Sequence, residues 1–315
     1  MTNQEQPYNS KIRTHNSALL EFAPLDLSAR DSLTAYLRQH PPLASEYTFS
    51  NLFAWQPINQ YAIARYGEGF LIRKSSHGEL SLLQPLVPKN GLASIKDGLA
   101  FLAGQTAVPA IERVGEDIIA GLPDDPTVII TEDRDQFDYL YDAQELIDLP
   151  GERFHDKKNL LAQFRTKYNA KYLPLTPALA KECVTFAHQW CIERNCERAE
   201  GLARENCAVV RMLAHFAELH LLGGALTIDD QLIAFTLAEP LTSDTLVIHV
   251  EKADNHLTGA YQAINHEFLI HQTVAFRYVN REQDLGVKGL RKAKLSYNPV
   301  RLIKKYRITA VRITD

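Results

Sequence analysis

The residues best suited to chemistry crowd into one stretch, "VNREQDLGVKGLRKAKLSYNP", positions 279 to 299. Acids, an amide, a Gly-bounded turn and a run of bases sit together where a strand gives way to a helix. At about 100° per residue, Val287, Leu290, Arg291, Lys294 and the Tyr297–Asn298 pair share one helical face, while Lys288, Lys292 and Ser296 fall on the other. Arg291 and Lys294 therefore occupy the stripe that Val287 and Leu290 need for packing. Charge on a packing face is costly unless it is paired or lines a cleft.

Partners for those cations come just before. If Phe276 to Asp284 form a strand, the even positions Phe276, Tyr278, Asn280, Glu282 and Asp284 point one way. An amide and two carboxylates then face the two inward-looking cations. A structural ion-pair cluster would have this composition, and so would a polar pocket at a strand's C-terminal end, where ligands of α/β sheets bind. Upstream, "TLVIHVEKA" puts Thr245, Val247, His249 and Glu251 on one strand face. Glu251 closes that strand, so its carboxylate is a candidate general base for an attacking amine. The alternative is a strand-end Glu paired with Lys252 or a nearby Arg. His249 reads as a half-buried sheet residue.

What surrounds this cluster is an ordinary globular chain of 315 residues, 45% hydrophobic and 23% charged. The uncharged run Gly98 to Ile111 is too short to cross a bilayer. The opening "MTNQEQPYNSKIRTHNS" has no apolar core and reads as a loose tail over residues 1–20 rather than a secretory signal. The expected compartment is the cytoplasm. Cys183, Cys191, Cys196 and Cys207 lack any CxxC spacing and read as buried thiols. His266 and His271 are five apart, about 140° around a helix, so neither pair type supports a metal site. From Arg277 to Arg312, eleven Lys or Arg stand against Glu282 and Asp284. That is a net +9, which leaves −13 for the remainder of a chain whose total is −4. Such a segment suits a phosphate-bearing partner (nucleic acid, nucleotide or anionic lipid), or it balances acids elsewhere in the fold.

Two halves share one rhythm. In the second, two helical stretches precede three short strands, Leu222 to Ile228, Leu232 to Leu237 and Thr245 to Val250, with a turn at Asp229–Asp230. A helix from Thr258 to Gln272 follows, then the strand to Asp284, the helix from Val287 and a last strand near Tyr306 to Ile313. In the first half, "SARDSLTAYLRQ" precedes the strand-like "QYAIARY", "GFLIRK" and "ELSLLQPLV", a helix near Leu92 to Ala103 and further strands. The expectation is an α/β chain with mixed sheets, divided into residues 21–150 and 151–315, the latter carrying the cleft.

Three antiparallel strands feeding a helix and a parallel strand is the order of the Gcn5-related N-acyltransferase fold. Moreover, "FDYLYDAQELIDLPGERFHDKKNLLAQF", "HVEKADNHLTGAYQAINHEFL" and "VNREQDLGVKGLRKAKLSYNPVRLIKKY" resemble the C-terminal domain of phosphatidylglycerol lysyltransferase. The resemblance implies a tandem pair of acyltransferase folds, and a transferase that moves an aminoacyl or acyl group to an amine or hydroxyl acceptor. In the membrane enzymes of the wider group, the donor is aminoacyl-tRNA and the acceptor a lipid headgroup. The membrane-spanning region of those enzymes has no counterpart here.

Coenzyme A-dependent members of the fold hold the pyrophosphate on bare amides of an R/Q-x-x-G-x-G/A loop. Here that loop reads His256-x-x-Gly259-Ala260-Tyr261, with a phenol where close approach is needed. This departure favours an aminoacyl ester over acyl-coenzyme A, and no cofactor is assigned. The implied roles are deprotonation of the acceptor by Glu251 or Asp284, binding of a phosphate, carboxylate or oxyanion by Arg291 and Lys294, and orientation of the acyl carbonyl by Asn280 and Tyr297. His256, Gly259, Tyr261 and Glu282 complete the expected donor and substrate contacts. An acetyl-coenzyme A-dependent enzyme and a non-catalytic nucleotide- or RNA-binding copy of the fold are the alternatives.

Overall fold

The computed structural model of the chain describes residues 20–88, 91–272 and 274–311. The expected tail thus lies outside the described residues except for Leu20, and Arg312 lies outside them too. From the amino end run β1 (Ala23–Pro24), α1 (Arg30–Gln39), α2 (Phe49–Asn59), β2 (Ala62–Tyr66), β3 (Gly69–Ser76) and β4 (Glu79–Leu83). Then come α3 (Gly91–Leu102), β5 (Ala110–Gly115), α4 (Glu116–Ala120), β6 (Val128–Glu132), β7 (Asp138–Asp142), α5 (Ala143–Asp148) and α6 (His155–Lys167). The second half continues with β8 (Lys171–Pro174), α7 (Pro177–Glu193), α8 (Glu200–Ala214), β9 (Leu222–Ile228), β10 (Gln231–Pro240) and β11 (Thr245–Ala253). It ends with α9 (Ala260–Ile270), β12 (Tyr278–Asn280), α10 (Lys288–Leu295), β13 (Arg301–Ile303) and β14 (Lys305–Ala310).

Local sequence accounts for most of these boundaries. Thr48 and Thr176 accept the backbone N–H three residues on and so cap α2 and α7, and Pro177 opens α7 where a missing N–H costs nothing. Leu33, Tyr36 and Leu37 give α1 its buried face at i, i+3, i+4 spacing. The β9–β10 hairpin turns at Asp229–Asp230 as the sequence implied. Both residues take φ near +50° to +60°, the hand that matches strand twist.

Two seven-stranded sheets result, in the orders β1-β2-β3-β4-β5-β14-β6 and β13-β7-β12-β11-β10-β9-β8. Among the described residues, only β4–β5 and β11–β12 are parallel strand pairs. Each follows three antiparallel strands and a helix, so the order β-β-β-α-β occurs twice. The sheets do not divide at residue 150, however. β7, from the first half, pairs with β12 and β13 in the second sheet, while β14 leaves the second half and inserts between β5 and β6. One hydrophobic core spans both halves, joining Leu33, Phe53 and Phe70 to Ala187, Met212 and Phe235.

Three sequence expectations fail here. The strand placed over Phe276 to Asp284 stops at Asn280, because Glu282 and Leu285 adopt positive φ and end the extended run. No residue of α10 is fully buried: Leu290 is 39% exposed and Val287, just before the helix, 54%, so ion pairs and not apolar packing hold this helix down. The cysteines are not four buried thiols either. Cys191 is disulfide-bonded to Cys196, their α-carbons 5.3 Å apart across the end of α7, and Cys207 is exposed. The basic segment is neutralised mainly by acids of the first half, through Arg301–Glu116, Lys304–Glu132 and Arg307–Glu112.

The strand exchange is fastened by a buried ion cluster. Lys305, fully buried at the start of β14, reaches Glu46 at 2.5 Å and Asp138 of β7 at 2.6 Å. Asp138 also accepts from the Ser45 amide (2.8 Å) and hydroxyl (2.9 Å) and from the Asn280 amide (3.2 Å). Removing one member of a buried pair strands the other charge, which costs about 3–5 kcal/mol. Lys305→Ala should therefore lower unfolding stability by that amount in urea titrations; a loss under about 1 kcal/mol would show that the cluster does not join the sheets.

Candidate active site

The cleft arises from strand geometry. β11 and β12 pair at only three positions, Thr245↔Tyr278, Leu246↔Val279 and Val247↔Asn280. Beyond them β11 runs on to Ala253 while β12 ends, so the strands part. β11 also carries a bulge. Leu237 faces Val250 and Ala238 faces Ile248, which leaves His249 without a partner on β10. The extra residue reverses the alternation: Leu246 and Ile248 pack toward α9, whereas Val250 joins the core shared with the first half. Glu251 consequently turns to α9, away from the face His249 occupies, and the expectation that the two share a face is overturned by the bulge.

On one side of the opening, His249 is clamped between two carboxylates. Its Nδ1 lies 2.7 Å from Glu282 and its Nε2 2.9 Å from Glu239, with the side chain only 1% exposed. Residues of α2 complete the arrangement: the Asn51 amide donates to Glu282 (3.1 Å) and the Ser50 hydroxyl to Glu239 (3.1 Å). Burial acts to lower the His249 pKa, but the bonds to Glu239 and Glu282 outweigh it and raise it to about 9. The imidazole is thus a buried cation. Ser50 and Glu239 also line a cavity of about 630 Å³ between α1, α2 and the β10–β11 hairpin.

On the α9 side, the Arg281 guanidinium donates to Glu251 at 2.5 Å and lies 4.6 Å from the centre of the Tyr297 ring. The other Glu251 oxygen accepts from the Asn265 amide at 2.8 Å. Between the two sides reaches Lys294, whose ammonium donates to the Arg281 carbonyl. Burial lowers its pKa to about 8 against the attraction of Glu282. Glu282, Glu251, Arg281, Lys294 and Tyr297 are therefore brought together.

Other expected site residues go elsewhere. Asp284 is fully buried and saturated: Arg291 holds it at 2.8 and 2.9 Å, Arg134 at 3.2 Å, the Tyr139 hydroxyl at 2.5 Å and the Gly286 amide at 2.8 Å. Burial works to raise its pKa, yet the bonds from Arg291 and Tyr139 hold it well below the usual carboxylate range. Asp284 cannot serve as a base, and Arg291, shared with Asp135 at 2.7 Å, is a structural tether and not a free anion-binding group. Asn280 points into the fold, donating to Asp138 and accepting the Glu282 amide at 2.8 Å, so it fixes the turn at Glu282 and does not reach a carbonyl in the cleft.

The loop before α9 is tightly packed at Gly259. A Cβ on Gly259 (φ +86°) would stand 2.3 Å from the Leu160 carbonyl and 2.9 Å from Phe164, both on α6. α6 thus packs directly against Gly259, the residue that caps α9. Tyr261 is not the obstruction, since its hydroxyl accepts from the Trp190 indole at 3.1 Å within the core. His256 is exposed, and its backbone amide donates to Asp254 at 2.8 Å. Among the described residues no group of three or more His, Cys, Asp or Glu could hold a metal ion, and no helix is long and apolar enough to cross a membrane.

Arg281, Glu239, Ser50, Asn51 and Lys157, whose ammonium also meets the Tyr297 ring at 4.3 Å, were not singled out by spacing. Arg281 stands inside the motif, one residue before Glu282, and could have been found there. The contributions of α2 depend on tertiary packing and leave no local trace.

Two copies of the β-β-β-α-β unit, each with a parallel pair after its helix, define a tandem acyltransferase-fold protein. More particularly, the chain belongs to the family "phosphatidylglycerol lysyltransferase, C-terminal", whose model matches residues 37–309. It is 32% identical to a conserved protein of unknown function from Bacteroides thetaiotaomicron, over 93% of this chain and 100% of that one, with a TM-score of 0.86. The C-terminal domain of a putative lysylphosphatidylglycerol synthetase from Agrobacterium fabrum is similar in fold, with a TM-score of 0.62 at 10% identity over 90% of this chain and 91% of that one. The structure of L-PGS from Bacillus licheniformis gives 0.61 at 12% identity over 91% and 92%. Among curated proteins none matches.

The clamped imidazole has a pH signature. With a folded pKa raised from 6.5 to about 9, its contribution to stability is fully present below pH 6.5 and lost as pH rises through 9. In thermal scans, the Tm difference between wild type and His249→Gln should narrow steadily from pH 6.5 to 9. A difference that stays constant over that window would mean the imidazole is neutral in the fold.

Proposed function

We propose that this protein transfers an aminoacyl or acyl group to an amine or hydroxyl acceptor, with the reaction centred where β11 and β12 part. The observation that carries the reading is Lys294, an ammonium reaching into that opening with its basicity lowered to about 8. A base is most effective when its pKa lies near the working pH. The unprotonated amine of Lys294 takes a proton from the attacking acceptor. The acceptor's nitrogen or oxygen then bonds to the acyl carbon, the bond from that carbon to the donor's oxygen breaks, and Lys294 returns the proton to the departing oxygen. Glu282, oriented by Asn51 and the His249 imidazolium, draws the Lys294 charge toward the cleft. Glu251 acts through Arg281, whose guanidinium it holds in place.

The crowding of Gly259 by α6 supports an aminoacyl ester over acyl-coenzyme A as donor. The family supports aminoacyl-tRNA as its source and a lipid headgroup or small molecule as acceptor. The direct experiment supplies lysyl- or alanyl-tRNA with phosphatidylglycerol vesicles or with free amines, and follows the aminoacyl group. Transfer is expected to rise with pH through about 8, as Lys294 loses its proton, and Lys294→Gln should reduce kcat by roughly 10²–10⁴ with KM little changed. Consumption of acetyl-coenzyme A with no use of charged tRNA would instead make the protein an N-acetyltransferase. RNA binding without turnover of either donor would make it a binding module.

A further inference from the structure

An edge strand carries unpaired backbone donors and acceptors, and folds blunt it with short length, proline or charge. Three of the four sheet edges in this protein are blunted in that way. β1 has two residues and ends on Pro24, β8 runs from Lys171 to Pro174, and β13 has three residues and begins with Arg301. The fourth edge, β6, is not. Its five residues, Val128-Ile129-Ile130-Thr131-Glu132, hold no proline and no base, and three of them are apolar and β-branched. Ile129 is 48% and Ile130 39% exposed. Glu132, the one charge on the strand, is paired with Lys304 at 2.7 Å.

The pairing with β14 fixes which groups are free. The Asp133 amide donates to the Lys305 carbonyl, and the Thr127 carbonyl accepts from Val311. Bonded residues alternate along an antiparallel ladder, so Val128, Ile130 and Glu132 turn their amides and carbonyls toward the open edge. The Val128 amide is met by the Asp125 carbonyl at 3.3 Å. The amides of Ile130 and Glu132 face no strand among the described residues. Ile130 stands opposite Ile308, which is fully buried in the core beneath this sheet. The apolar layer therefore runs out to the edge and stops there uncapped.

We propose that β6 pairs with β6 of a second copy of this chain, antiparallel about a two-fold axis at Ile130. The strand is self-complementary in that register. Ile130 meets Ile130 and the two exchange amide and carbonyl bonds, while the Glu132 amide of each copy reaches the Val128 carbonyl of the other. Both free amides of each copy are thereby satisfied. Ile129 falls opposite Thr131, a β-branched pair suited to cross-strand packing, and Glu132 falls opposite Val128, so no charge meets its like. An axis at Glu132 would set two carboxylates face to face. One at Val128 would set Ile130 against Pro126, which has no amide to return. Residues 1–19 suit this edge less well: β1, the first strand after them, lies at the opposite edge of the same sheet, and "MTNQEQPYNSKIRTHNSAL" has no run of β-branched apolar residues. The pairing is independent of the reaction assigned above.

The experiment follows the full chain by sedimentation equilibrium across the micromolar range. A reversible monomer–dimer equilibrium is expected with no larger species, because a two-fold pairing closes on itself. Ile130→Lys sets two ammonium groups face to face at the axis and should weaken dimerisation about tenfold or more, as should Ile130→Glu with two carboxylates. Mixed in equal amounts, the two variants should recover a dimer, since opposite charges then meet at the axis. Damage to the fold of either variant cannot produce that recovery. A wild type that stays monomeric throughout would overturn the proposal, and dimers that appear only after deletion of residues 1–19 would assign the edge to the chain's own tail. Open-ended assembly, a dimer that Ile130→Lys leaves equally tight, or a mixture of the two variants that stays monomeric would overturn it as well.

Discussion

The fold depends on one buried ammonium. Lys305 is fully buried, so its charge must be met by Glu46 and Asp138, and these come from the loop before α2 and from β7. Placing an ion cluster in a core gains little stability over apolar packing, but any arrangement that leaves one member unpaired is strongly disfavoured. Such a cluster therefore selects. It requires β14 to lie in the first sheet at the register that brings Lys305 to Asp138, and it requires β7 to lie beside β12. The exchange of strands between the halves and the buried charges are mutually necessary.

The cleft inherits its geometry from that constraint. Asp138 accepts from Asn280, and Asn280 in turn accepts the amide of Glu282, so the carboxylate at the opening is set by the same cluster two bonds away. The loop that supplies Glu46 leads directly into α2, which presents Ser50 and Asn51 to the two carboxylates around His249. First-half residues thereby build the site of the second half. Asp284, Arg291, Arg134 and Tyr139 form a second fastening at the end of β12, holding α10 against the sheet so that Lys294 is aimed inward.

Much of this was legible in the sequence. The twofold β-β-β-α-β order follows from alternation and turn residues, because each strand's pattern is local. The charge-dense motif contains Glu282, Lys294 and Tyr297, which the fold gathers where β11 and β12 part. The inward cations on α10 were readable from the helical wheel, although the companion inference that Val287 and Leu290 pack failed, since ion pairs can anchor a short helix without apolar burial. Asp284 and Arg291 look like catalytic groups in a list of residues and become a tether only when Tyr139 and Arg134 arrive from β7 and its approach. The bulge at His249 reverses the face of Glu251, and a one-residue offset between two strands has no signature in either strand alone. Strand exchange was invisible for the same reason: β7 and β14 read as strands, but which sheet receives them is decided by the partners of Lys305.

Strand splay, fixed by the buried cluster, holds Lys294 in a partly desolvated position. An NMR titration of the Lys294 side-chain nitrogen, assigned by comparison with Lys294→Arg, tests it most directly. A midpoint near 8 is the result this account requires. Titration at the ordinary lysine value of about 10.4 would place the ammonium in solvent and remove it from the chemistry of the cleft.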